Sequence, residues 1–212
     1  MHDILEIYII ALLAAMLPDR WAARLIWAGT RFYCFHPDAH SAQDAAKQCW
    51  PDQPLNLRRL RWTYLFEAST AWRILLGRKL SIEMLGQWPD APGFIAAGGH
   101  YDNGIAVLWS LHQAGLRPRF VLRPPEKKLR TQRPPLYLWS LIRFRLIKQL
   151  CPDGTVLTGG ARNAIQEILD QGQTTPVILF DTPAPPGHSS WELQLGKRTV
   201  ALFTGAARIV DL

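Results

Sequence analysis

The eleven residues Phe94-Ile95-Ala96-Ala97-Gly98-Gly99-His100-Tyr101-Asp102-Asn103-Gly104 decide how this chain is to be read. A short apolar run, Phe94–Ala97, meets two glycines, and an apolar helical stretch over 104–114 follows at once. The same unit recurs downstream. Phe120–Leu122, Thr155–Leu157 and Val177–Phe180 are short apolar runs bounded by Gly, Pro and Asp, and they alternate with helical patterns over 134–149 and 161–171. Strand, helix, strand, helix predicts an α/β fold with a mainly parallel central sheet covered by helices on both faces. Ligands of such sheets sit beyond the carboxyl ends of the strands, so the residues that follow these four runs are the ones to inspect.

Upstream, the first ninety residues read as helical: 4–16, 20–33, a short 41–49 opened by Ser41 as cap, and Leu55 to Gly77, with Pro54 before it and Gly77 as its stop. The expectation is one domain over 1–212, with a helical, membrane-associating part over 1–90 and an α/β core over 91–212. The apolar run from Ile7 to Leu17 has eleven residues and follows Asp3 and Glu6, so it is too short to span a bilayer and lacks the basic flank of a targeting peptide. In 20–33, Trp21, Leu25, Ala28 and Phe32 recur at helical spacing while Arg20, Arg24 and Arg31 fall on another face. Trp and Arg together fit a helix lying at headgroup depth; the other reading is a helix of the domain's own core.

With 212 residues and 48% apolar content the chain can bury a full core, which excludes disordered, collagen-like and disulfide-scaffold classes. Cys34, Cys49 and Cys151 have no metal-ligand spacing, and three cannot all pair within one chain, so a reducing compartment is expected. The net charge of +7 is unevenly spread: Arg117 to Lys148 carries ten basic residues and one acid, Glu126, while the rest of the chain is slightly acidic. Either this stretch is a solvated face or it meets an acidic partner. No recognised nucleic-acid motif accompanies it, so no nucleic acid is expected.

Three of the four strand ends carry polar or Gly-rich residues: Gly98 to Gly104, Thr158-Gly159-Gly160-Ala161-Arg162, and Asp181-Thr182-Pro183. A histidine at a strand-to-helix junction suits a general base, because its pKa near 6.5 needs little tuning at neutral pH; this makes His100 the candidate, against a plain turn or cap role. Asp102 and Asn103 are natural N-caps of the next helix. Gly98 and Gly99 are either turn glycines or positions where backbone N–H groups approach an oxyanion. A zinc site from His100, Asp102 and His112 has no recognised spacing, so neither metal nor cofactor is expected. His36, His40 and His188 lie in turn or loop sequence.

Several of these segments resemble one family. Gly99-His100-Tyr101-Asp102-Asn103-Gly104-Ile105 is similar to the Gly-His-Phe-Gly-Asn-Trp-Glu signature of the bacterial lipid A biosynthesis acyltransferases, the lauroyl/myristoyl transferase branch of the lysophospholipid acyltransferase-like enzymes. In the same order, Phe120-Val121-Leu122-Arg123-Pro124 resembles that family's strand ending in Tyr-Arg-Pro. Gly159-Gly160-Ala161-Arg162, with its helix and Gly172, resembles the Arg-Gly-Ala turn, and Leu179-Phe180-Asp181 the Leu-Ala-Asp-Gln strand. Leu195-Gly196-Lys197-Arg198 before Gly205-Ala206-Ala207-Arg208 is similar to Phe-Gly-Arg-Pro followed by Gly-Pro-Ala-Arg. The likeness covers nearly the whole chain.

The resemblance implies transfer of a fatty acyl chain from a thioester donor, acyl carrier protein or coenzyme A, to a hydroxyl of a lipid or glycolipid, on the cytoplasmic face of the bacterial inner membrane. His100 would take the hydroxyl proton. The family's acid, five positions after its His, is here Ile105, which has no proton chemistry; Asp102 is the first substitute and Asp181 the second. Arg123, Arg162, Lys127 and Lys128 would meet lipid phosphate or an acidic carrier protein, since guanidinium pairs bidentately with phosphate and Lys supplies a point charge. Gly99, Asn103 and Asp181 complete the expected substrate contacts. The family's Asn-Pro after Arg-Pro is replaced by Pro125-Glu126-Lys127-Lys128, and the family continues beyond the position of Leu212, so a partner chain completing the C-terminal part is a further expectation. With Ile105 in place of the acid, the alternative is a relative that binds acyl lipid or carrier protein without turnover.

Overall fold

The computed structural model describes residues 2–31, 37–49, 51–52, 56–90, 93–98, 103–158, 161–179 and 190–203. They form two compact units, one over 1–80 and 190–202, the other over 81–189 and 203–212.

The first unit is helical with a small added hairpin. A π-helix, Ile4–Ile10, runs into α1 (Ala11–Met16); α2 (Asp19–Gly29), α3 (Pro37–Cys49) and α4 (Leu57–Leu75) follow. The sequence pattern predicts an α-helix over 4–16. Its first half is instead widened, with Glu6, Ile7 and Ile10 all turned inward, and the Ile7 carbonyl accepts from the Trp72 indole N–H at 2.9 Å. Helix α3 starts at Pro37, whose missing N–H costs nothing at a first helical position, so Ser41 lies inside the helix and is not its cap. Helix α4 is capped by Asn56, whose side chain accepts from the Arg59 N–H at 3.0 Å.

Small residues let these helices approach. Ala11, Ala14, Ala15, Ala68 and Ala71 are buried where α1 meets α4, and Ala14, Ala22, Ile26 and Leu65 form a core cluster. A Cβ on Gly29 would lie 2.8 Å from Ile10 Cδ1, so a side chain there would require Ile10 to shift. Arg61 pairs with Glu6 in this interior, its guanidinium 4.2 Å from the Tyr64 ring centre. Arg73 and Arg78 donate to carbonyls at the C-terminal end of α1, at the cap residue Leu17 (2.7 Å) and at Ala15 (2.8 Å), where the helix dipole favours cations. Strands β5 (Ser190–Leu195) and β6 (Arg198–Phe203) pair with each other about a turn at Gly196-Lys197, and the Lys197 N–H donates to the Cys49 carbonyl.

The second unit is the expected α/β fold. Strands β1 (Ala96–Gly98), β2 (Pro118–Leu122), β3 (Val156–Leu157) and β4 (Thr175–Leu179) form a sheet in the order β1-β4-β2-β3, every pairing parallel. Helices α5 (Gly104–Gln113), α6 (Leu129–Gln132), α7 (Pro134–Leu150) and α8 (Ala161–Gln171) lie between the strands in sequence. The chain crosses from β1 past the place of β4 to β2, steps outward to β3, then returns to β4. Right-handed crossovers in these opposite directions put α5 and α7 on one face and α8 on the other. The packing agrees: α5 touches α7 and β2, while Ile165 of α8 packs with Ile178, Ile95 and Val121.

Candidate functional site

Pleating and register determine what the α5 side of the sheet presents. Ala96 pairs with Val177, Gly98 with Leu179, and Phe120 with Val177, and residues directly paired point to the same face. On that face β1 therefore offers only a methyl group and a hydrogen. The space they leave is a cleft of about 450 Å³ along the outer strand β1, lined by Ala96, Gly98, Val177, Leu179 and Phe120 below, and by Gly104 and Val107 at the start of α5. Trp88 and Phe94, stacked with ring centres 6.4 Å apart, also line it, together with Gln87, Pro89, Ile95 and Ala97. Among the described lining residues Gln87 is the one amide side chain and none is charged, so that part of the cleft suits a hydrocarbon. A Cβ on Gly98 would stand 3.9 Å from Leu179 Cδ2, so the glycine leaves ordinary room that a larger side chain would fill.

Gly98 and Gly104, both in the cleft lining, flank the motif that the sequence singles out. Gly99, His100 and Asp102 between them lie outside the described residues, as does Asp181. Asn103 is described, and its side chain caps α5: the Oδ1 accepts from the Ala106 N–H at 3.1 Å. Ile105 is 2% exposed, a core side chain of α5 beside Leu108 and Leu111. That burial was not legible in a motif comparison, because the first turn of a helix offers both an inner and an outer face.

The basic stretch is not one patch. Arg117 precedes β2 and chelates Asp153, which precedes β3, with Nε to Oδ2 at 2.7 Å; this pair lies at the amino ends of the strands, away from where ligands of such sheets bind. Arg123 and the loop after it follow the carboxyl end of β2. There Lys128 reaches Glu126 at 2.8 Å and Arg123 reaches it at 4.0 Å, and both cations stay largely exposed. The hydrogen bond and charge of Lys128, and then Arg123, hold the Glu126 carboxyl below the usual carboxylate range. Lys127 and Arg130 are exposed beside them, and Arg162 is exposed in the first turn of α8, after β3. Of the remaining cations, Arg119 lies in β2, Arg133 stands at the N-cap position of α7, and Arg143, Arg145 and Lys148 ride on α7.

Among the described residues no group of three or more His, Cys, Asp or Glu side chains is placed to hold a metal ion. Cys49 and Cys151 are free thiols, and burial pushes the Cys151 thiol up to about 11. No described helix is long and apolar enough to cross a membrane. The chain matches no family model, no curated protein and no solved structure.

Proposed function

We propose that this chain is a membrane-surface acyltransferase of the lipid A acyltransferase type, moving a fatty acyl chain from a thioester donor to a hydroxyl of a lipid or glycolipid. The observation that carries the reading is the apolar cleft whose lining includes both Gly98 and Gly104, the flanks of the His100 motif. A hydrocarbon chain held there would lie against the two glycines that flank the His100 motif in sequence. His100 takes the acceptor proton, the oxygen attacks the thioester carbon, the thiolate leaves, and a carboxylate from Asp102 or Asp181 steadies the imidazolium. Arg123, Lys127, Lys128 and Arg162, on segments that follow the carboxyl ends of β2 and β3, offer charge to lipid phosphate or to an acidic carrier protein.

Residence at a membrane surface draws support from the first unit. Ile9, Leu13 and Met16 are exposed at helical spacing, and on α2 the exposed Trp21 carries the guanidinium of Arg24 at 5.1 Å and that of Arg20 at 5.8 Å from its ring centre. The inward face of α2 is Ala22, Ile26 and Gly29, which leaves Trp21 and Trp27 outward with the arginines. An apolar and indole surface with guanidinium groups fits the headgroup layer of a bacterial inner membrane.

The test is acyl transfer to lysolipid and glycolipid acceptors from carrier-protein and coenzyme A thioesters. His100→Ala should abolish transfer, and Gly98→Val should raise KM for long-chain donors more than for short ones at unchanged thermal stability. Transfer by His100→Ala at the wild-type rate would overturn the mechanism. One observation favours a second reading, a relative that binds acyl lipid or carrier protein without turnover: the position of the family's acid is a core isoleucine. Saturable binding of a fluorescent fatty acid, lost in Gly98→Val, with no transfer to any acceptor, would select it.

A further inference from the structure

We infer that the outward face of α7 is a second lipid-contacting surface, one that lays the α/β unit against the headgroups of an anionic phospholipid bilayer. The inference rests on the membrane-surface reading above but not on its chemistry. Pro134, Leu138, Leu141, Arg145 and Lys148 are all exposed and recur at spacings of four, three, four and three, so they form one stripe along the helix, about 21 Å long at 1.5 Å per residue. Leu138 and Leu141 are 51% and 42% exposed. The opposite side of α7, with Trp139, Leu146, Ile147 and Leu150, is buried, so the stripe is the face turned away from the helix's own core contacts.

Charge identifies the occupant. No acidic residue occurs in α7. Its exposed leucines are bracketed by cations: Arg145 and Lys148 toward its C-terminus, with Lys148 held 4.9 Å above the Phe144 ring centre, and Lys127, Lys128 and Arg130 around α6, which packs against α7. Apolar side chains at the middle of the stripe and long flexible cations at both ends match an interface in which leucines enter the acyl boundary while Lys and Arg reach phosphate.

The experiment is partition of the full-length protein onto sucrose-loaded vesicles of pure phosphatidylcholine and of phosphatidylcholine with phosphatidylglycerol. Arg145→Glu/Lys148→Glu should weaken binding to the anionic vesicles by about tenfold or more, given roughly fivefold per basic residue near such a surface. Leu138→Ser/Leu141→Ser should weaken binding to both vesicle types. Circular dichroism melts unchanged from wild type would exclude misfolding, which these exposed positions make the expected result. Wild-type partition in both α7 variants, with partition lost in Trp21→Ala, would overturn the proposal while leaving the membrane-surface reading intact. Variants that bind vesicles normally but no longer bind acyl carrier protein would overturn it in favour of an acidic protein partner. Acyl transfer measured in detergent micelles, where no bilayer is present, separates the two questions: loss there in His100→Ala but not in the α7 variants belongs to the chemistry alone.

Discussion

At the scale of single residues, the most consequential side chain is Ile105. The motif comparison makes it look like a catalytic acid lost, and restoring Glu looks like a repair. Its burial says otherwise, because a carboxylate replacing a core isoleucine would lose its hydration among Leu108 and Leu111. Ile105→Glu should therefore destabilise the protein by about 3 kcal/mol or more, read as a drop in the urea midpoint and in Tm. A variant as stable as wild type that also gains transfer activity would refute this and place the acid at that position after all. Gly98 and Asn103 show the other side of residue-scale reading. Asn103 was recognisable as a cap from its place before an apolar helix, and it does cap α5. The role of Gly98 as cleft lining depends on its register with Leu179, which no local pattern contains.

At the scale of elements, periodicity found the four parallel strands and three of the four helices between them to within a few residues, because each amphipathic or apolar segment carries its own burial pattern. It did not find α6 or the β5–β6 hairpin, and in the first unit it misread two helices. The first half of the 4–16 helix is π-helical in contact with Trp72, and the α-helix expected over 20–33 is described over Asp19–Gly29, positions 32 and 33 lying outside the described residues. The buried Glu6–Arg61 pair joins two helices 55 residues apart in sequence. Removing one partner, as in Arg61→Leu, takes the guanidinium away from a buried carboxylate and should cost about 3 kcal/mol, whereas Glu6→Leu/Arg61→Leu should recover most of that loss. Urea denaturation of the two single variants and the double variant checks it; a double variant no more stable than the singles would mean that the pair itself, not the avoidance of a lone charge, holds the helices.

At the scale of the whole molecule, alkaline pH should expose a shared weakness. Cys151 is raised from 9.0 to about 11, chiefly by burial, and Tyr8 from 10.0 to about 12, by burial and by the nearby Tyr64 and Asp3. Each group resists deprotonation more when folded than when unfolded, so its contribution is complete below the unfolded value and is lost as pH rises toward the folded one. Stability should thus decline from pH 9.0 through about 11, and Cys151→Val should flatten the lower part of that decline in denaturation midpoints measured across the range. A slope identical to wild type would remove Cys151 as the cause. The charge of +7 also changes meaning at this scale. As a run in sequence, Arg117 to Lys148 reads as one basic patch, but a chain that goes up a strand and back down a helix distributes it to an amino-end ion pair, a carboxyl-end loop and the outer face of α7. The sequence by itself determined the α/β class, the helical N-terminal part and the segment on which to look for chemistry, because hydrophobic period, caps and strand-end glycines are local properties. Only the tertiary structure decided the strand order, the inward turn of Ile105, the apolar cleft beside Gly98 and the division of the basic run, because each depends on which residues distant in sequence share a face.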